Sequence, residues 1–114
     1  MLHGWPETWY EWRHIMPALA KNYTIIAPDL RGLGDSSKPL TGYDGKTVAE
    51  DIHQLVTQLG FKTIFLVGHD IGTQVAYSYA AAHPYGSKEV SSHGSHYSWV
   101  RTSRNDANMV ALIP

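Results

Sequence analysis

The chain has 114 residues, 43% of them hydrophobic, and a formal net charge of −1. This suits a soluble globular domain with one modest core, and near-neutral charge leaves no electrostatic footprint for nucleic acid or an anionic membrane. With no cysteine, disulfides and thiolate metal sites are excluded.

No apolar run is long enough to span a bilayer, and no basic start leads into an apolar stretch as in a signal peptide, so a cytoplasmic location is expected. The seven histidines are scattered, and no pair has a metal-site context, so no metal is expected.

In chain order, Pro6 suits the first turn of a helix that would carry Trp9, Trp12 and Met16 on one face, ended by Pro17. Tyr23–Ala27 is a β-branched run that predicts a buried strand, and Asp29–Tyr43 is Gly-, Ser-, Pro- and Asp-rich and reads as a long loop. Thr47 with Glu50 three residues later forms a capping box. Ile52, Leu55, Val56 and Leu59 follow at helical spacing, and Gly60 stops the helix.

Thr63–Val67 predicts a second buried strand, Gly68–Gly72 a tight turn, and Ile71–His83 a helix ended by Pro84. Strand, helix, strand, helix implies an α/β fold with parallel strands, both covered on two faces. Ligands bind such sheets at the carboxyl ends of the strands, where the Asp29 loop and the Asp70 turn fall.

Gly68-His69-Asp70-Ile71-Gly72 has the G-x-nucleophile-x-G form of a nucleophile elbow. A strand turning this sharply into a helix strains the central residue, and side chains at the flanking positions would clash. The helix N-terminus favours negative charge, so Asp70 is expected to stay ionised. The competing reading is that Asp70 merely caps the helix. The strand before the turn and the helix after it favour the elbow.

Three ordered motifs are similar to signatures of the α/β-hydrolase superfamily: His3-Gly4-Trp5-Pro6-Glu7, Asp29-Leu30-Arg31-Gly32-Leu33-Gly34-Asp35-Ser36 and the Asp70 turn. They resemble its epoxide hydrolases most closely, from Leu2 to Pro84. The resemblance implies an Asp70 nucleophile that forms an alkyl ester, with the backbone N–H groups of Trp5 and Ile71 as oxyanion hole. It also implies a cis Trp5–Pro6 bond, and a structural rather than catalytic role for Asp29-Leu30-Arg31-Gly32.

Trp5 and His69 are candidates to contact a small-molecule epoxide or organohalide, although the His69 side chain is expected to point away from Asp70. Epoxide chemistry leads. Haloalkane dehalogenases of this fold carry a Trp after the nucleophile and fluoroacetate dehalogenases an Arg, whereas this chain has Ile71, whose side chain donates no hydrogen bond. His3 is expected to order its loop. His14, His53 and His83 are expected at helix surfaces or ends, and Trp9 and Trp12 in the core.

The domain expectation is a partial hydrolase core over 1–84, incomplete at both ends, followed by an unrelated tail. Only Met1 and Leu2 stand where the strand before the oxyanion loop should be. The water-activating His, the acid that orients it and the lid tyrosines of the family are not identifiable.

Tyr85–Pro114 is Ser-, His- and Gly-rich, without helix or strand period, and reads as disordered. Back-translated with permissive codons and shifted by one nucleotide, it can be read as an apolar strand closing with Pro-Gly, and Trp99-Val100 then necessarily gives Gly. A frameshifted tail is the expectation, with a genuine divergent tail as the alternative. Such a piece, with uncovered sheet edges, is expected to fold poorly or associate. An inactive truncated product is therefore a further functional reading.

Overall fold

The computed structural model describes residues 1–84 and the backbone of 90–92 and 97–100. A 3₁₀ turn, Trp9–His14, leads into helix α1 (Met16–Leu19). Helix α2 (Gly45–Gln58), strand β1 (Leu66–His69) and helix α3 (Ile71–Ala82) form the centre, followed by strands β2 (Val90–Ser92) and β3 (Tyr97–Val100).

β1 separates two apolar layers because its side chains alternate between faces. Leu66 packs with Leu2, Leu30, Ile64, Val48, Ile52 and Val56 of α2, and Val75, Ala76 and Tyr79 of α3. Val67 points the other way, onto Met1 and Trp12, where Ile15, Met16, Leu19, Ile25 and Ile26 close over it. The expected two-sided burial of this strand is therefore observed, and Gly68 and Asp70 are carried to its carboxyl end.

Pairing differs from the expectation. Among the described residues, parallel pairing occurs at one isolated bridge, Leu2 to Gly68. The ladders run antiparallel in the order β1-β3-β2, with Leu66 opposite Val100 and His69 opposite Tyr97. Part of the segment expected to lack regular structure thus supplies two strands. A strand edge presents N–H and C=O groups that any extended backbone can satisfy, whatever its side-chain period. The rest of that tail lies outside the described residues.

The predicted strand Tyr23–Ala27 forms no ladder, and apart from the exposed Thr24 its residues are half-buried. Leu2 spends its hydrogen bonds on β1, through Leu2 N–H to Val67 O at 2.7 Å and His69 N–H to Leu2 O at 3.0 Å. On its other side the Met1 amine donates to Ile26 O, at 2.6 Å. For the same reason the second strand is shifted from 63–67 to Leu66–His69, where Leu2 and β3 offer partners.

Three local expectations are corrected. Pro17 sits in the first turn of α1, where a missing N–H is harmless, rather than ending a helix. Asp44 caps α2 by accepting from the Thr47 N–H at 2.9 Å and Thr47 Oγ1 at 2.7 Å, which displaces the Thr47–Glu50 capping box. Trp12 is buried as expected, but Trp9 is 41% exposed rather than in the core.

Candidate active site

The turn after β1 is closed by glycines. A Cβ on Gly68 would lie 2.5 Å from backbone atoms of Gly72 and Thr73, and a Cβ on Gly72 would fall on the Leu2 carbonyl oxygen. Between them Asp70 has φ 50° and ψ −117°, the only non-glycine with positive φ among the described residues. Such a conformation is held by its surroundings at a cost of about 1–3 kcal/mol.

Asp70 does not cap α3 with its side chain. The helix begins instead with Thr73 N–H donating to Asp70 O at 3.0 Å. The carboxylate reaches across to the other loop, where Asp70 Oδ2 accepts the Trp5 N–H at 3.0 Å.

That loop is set by His3, which is fully buried. Leu30 N–H donates to His3 Nε2 at 2.9 Å, so Nε2 is an acceptor and the ring proton belongs on Nδ1, which donates to Gly4 O at 2.9 Å. His3 orders the loop as expected. Trp5–Pro6 is cis. With its N–H on Asp70, the Trp5 side chain is left 67% exposed beside a cavity of about 340 Å³. Leu33, Ile71, Gln74 and Val75 also line this cavity. Ile71 opens α3, so its N–H belongs to the first turn, whose donors have no intrahelical partner.

His69 is not among the residues lining that cavity. Its Nδ1 lies 2.7 Å from Glu11 Oε1 and 3.4 Å from Glu7 Oε2. The ring is thus turned to the Glu7–Glu11 segment. Glu11 escaped the sequence reading, although its i+4 spacing from Glu7 was visible. Its other oxygen, Oε2, accepts the Gly4 N–H at 3.1 Å. Burial pushes the Glu11 carboxyl up, and Glu7 adds to this, while the Gly4 N–H and His69 pull it down; the net shift is upward.

Glu7, Glu11 and His69 offer one ligand atom each within 4.8 Å of one another, the spread a metal ion requires. The 2.7 Å approach of His69 Nδ1 to Glu11 Oε1 is an ion-pair distance without hydrogen-bond geometry.

The Asp29 loop is tied by structural bonds. Asp29 Oδ1 accepts from Trp9 N–H at 2.8 Å, and Oδ2 from Asp35 N–H at 2.9 Å. Burial would raise the Asp29 carboxyl, but these two N–H groups, with Lys38, bring it below its ordinary value. Gly34, at φ 50°, leaves room for this carboxylate, onto which a Cβ would fall. Arg31 makes a bidentate pair with Asp51, at 2.7 and 2.6 Å.

The sequence matches the α/β-hydrolase fold family over residues 1–110, and the chain belongs to that family. It is 56% identical over 80 residues to a soluble epoxide hydrolase from Corynebacterium sp. (strain C12), covering 70% of this chain and 28% of the relative. A fluoroacetate dehalogenase from Burkholderia sp. is 39% identical over 89 residues, 74% of this chain and 29% of the relative. Among solved structures, an epoxide hydrolase without ligand superposes with a TM-score of 0.69 at 53% identity, covering 73% of this chain and 29% of that one. The chain therefore spans less than a third of the length of these relatives. No helix among the described residues is long and apolar enough to cross a membrane.

Proposed function

We propose that this chain is the nucleophile-bearing part of an epoxide hydrolase, with Asp70 as the attacking carboxylate. The observation that carries the reading is the Asp70 carboxylate on the Trp5 N–H, presented by a glycine-flanked turn at positive φ. An Asp oxygen attacks one epoxide carbon, the C–O bond breaks, and the ring oxygen leaves as an alkoxide that takes up a proton. Water then adds to the carbonyl of the resulting ester. Its oxyanion would be received by the N–H groups of Trp5 and Ile71, and collapse releases the diol and restores Asp70. The Trp5 ring would line the substrate side. His69, turned to Glu11, would act through the loop rather than by touching substrate.

C–halogen hydrolysis by the same carboxylate is the second reading, favoured by the likeness to a fluoroacetate dehalogenase. Against it stands Ile71, which has no side-chain donor for a departing halide. Neither chemistry needs a metal or organic cofactor.

The water-activating His and its acid are assigned to sequence beyond residue 84, and the tail from residue 85 is read as an out-of-frame translation. The test exposes this chain, and a full-length enzyme rebuilt in the shifted frame, to a terminal epoxide and to a haloacid. Diol formation by the rebuilt enzyme alone is expected. Halide release without diol would move the assignment to a dehalogenase. Turnover by the 114-residue chain itself would overturn the truncated reading. Resequencing the source DNA across the codons for Ala80–Pro114 tests the frame directly: one inserted or deleted base should restore the apolar strand.

A further inference from the structure

Beside the nucleophile turn, and apart from Asp70, an imidazole and two carboxylates converge. His69 ends β1, while Glu7 and Glu11 stand four residues apart on the segment after the cis Trp5–Pro6 bond. Nδ1 of His69 is 2.7 Å from Glu11 Oε1 and 3.4 Å from Glu7 Oε2, and neither approach has hydrogen-bond geometry. Donor atoms bound to one ion through bonds of about 2.0–2.1 Å stand about 3.3 Å apart in a tetrahedral set. The two spacings bracket that value, and all three donors lie within 4.8 Å of one another.

The donors are also held in place by bonds outside the set. Glu11 Oε2 accepts the Gly4 N–H at 3.1 Å, which leaves Oε1 for His69. The Glu11 N–H donates to Thr8 O at 3.1 Å, and the side chain is only 17% exposed. The His69 ring is packed against Gly4, where a Cβ would stand 2.8 Å from Nδ1. Burial pushes the Glu11 carboxyl up and the neighbouring Glu7 adds to this, a crowding of negative charge that a bound cation relieves. One imidazole nitrogen with two carboxylate oxygens is a mixed donor set that suits Zn²⁺, whereas Mg²⁺ and Ca²⁺ prefer oxygen alone.

We propose that Glu7, Glu11 and His69 form a binding site for Zn²⁺, which takes His69 Nδ1 and one oxygen of each glutamate, with water completing the coordination. The ion joins the segment after Trp5 to the end of β1. Asp70 is not in the set, so the proposal does not depend on the reading of Asp70 as nucleophile, and the site ties two loops together rather than supplying a step of the reaction.

Calorimetric titration of the whole chain with Zn²⁺, and separately with Mg²⁺, tests this. One equivalent of zinc should bind, with Mg²⁺ far weaker. Glu7→Gln, Glu11→Gln and His69→Asn should each weaken zinc by roughly tenfold or more, since even loss of an outer-shell partner costs that much. His14→Gln and the double variant His93→Gln/His96→Gln should bind zinc as the parent does. X-ray absorption of the zinc-loaded chain should show a single imidazole among oxygen ligands at about 2.0–2.1 Å. If His69→Asn does not fold, the near-isosteric glutamine variants decide. No saturable zinc binding, zinc binding that survives both Glu→Gln changes, zinc binding lost with His14 or the tail histidines, or Mg²⁺ binding as tight as zinc would each overturn the proposal.

Discussion

Gly72 and the Met1 amine each set a condition on the site. A Cβ at Gly72 would meet the Leu2 carbonyl, which is backbone already bonded to β1 and cannot swing aside. Gly72→Ala should therefore destabilise the chain by about 1–3 kcal/mol through overpacking, read as a fall in the denaturant midpoint. Its larger local effect should be faster amide exchange around Asp70.

The Met1 amine is buried against Ile26 O, and burial lowers its pKa from 8.0 to about 5. Between those values the unfolded chain binds a proton that the folded chain does not. Its share of stability is thus intact above about pH 8 and is lost as pH falls toward 5, by up to about 4 kcal/mol for three units. Denaturant titrations at pH 8 and pH 5.5 should differ in this sense, and N-terminal acetylation should flatten the difference.

Among the elements, α2 and α3 were legible because their apolar spacing and stops agree with one another, although the cap of α2 is Asp44 rather than Thr47. Ile52 and Val56 are buried as the helical period requires. Ile52→Ala should cost about 2–4 kcal/mol by opening a cavity among Leu66, Val75 and Tyr79, while the exposed Gln54→Ala should change stability little. Thermal melts of the two variants measure both.

The strands were less legible, since a ladder depends on what lies alongside. Tyr23–Ala27 has strand composition but forms no ladder, whereas Tyr97–Val100 pairs along β1 and Val90–Ser92 pairs along Tyr97–Val100. The tight turn at Asp70 was readable to the residue, because flanking glycines state a backbone conformation directly. The Glu11–His69 contact was not readable, because it joins side chains fifty-eight positions apart that only the folded loop brings together.

At the scale of the molecule, the chain carries the family's motifs through the elbow and spans less than a third of its relatives. Trp5, Leu40, Tyr43 and Tyr77 stand half or more exposed. A protein this small with apolar groups in water is expected to self-associate. Sedimentation velocity should show a concentration-dependent increase in mean mass, and a monomer with a sharp cooperative melt would contradict this.

The central claim is that Asp70 attacks carbon, and a covalent ester is its direct trace. Peptide mass spectrometry after prolonged incubation with a reactive terminal epoxide such as styrene oxide measures it. The account predicts one added epoxide mass on the Asp70 peptide, absent from Asp70→Asn. An unmodified Asp70, or equal labelling of the Asn variant, would contradict it.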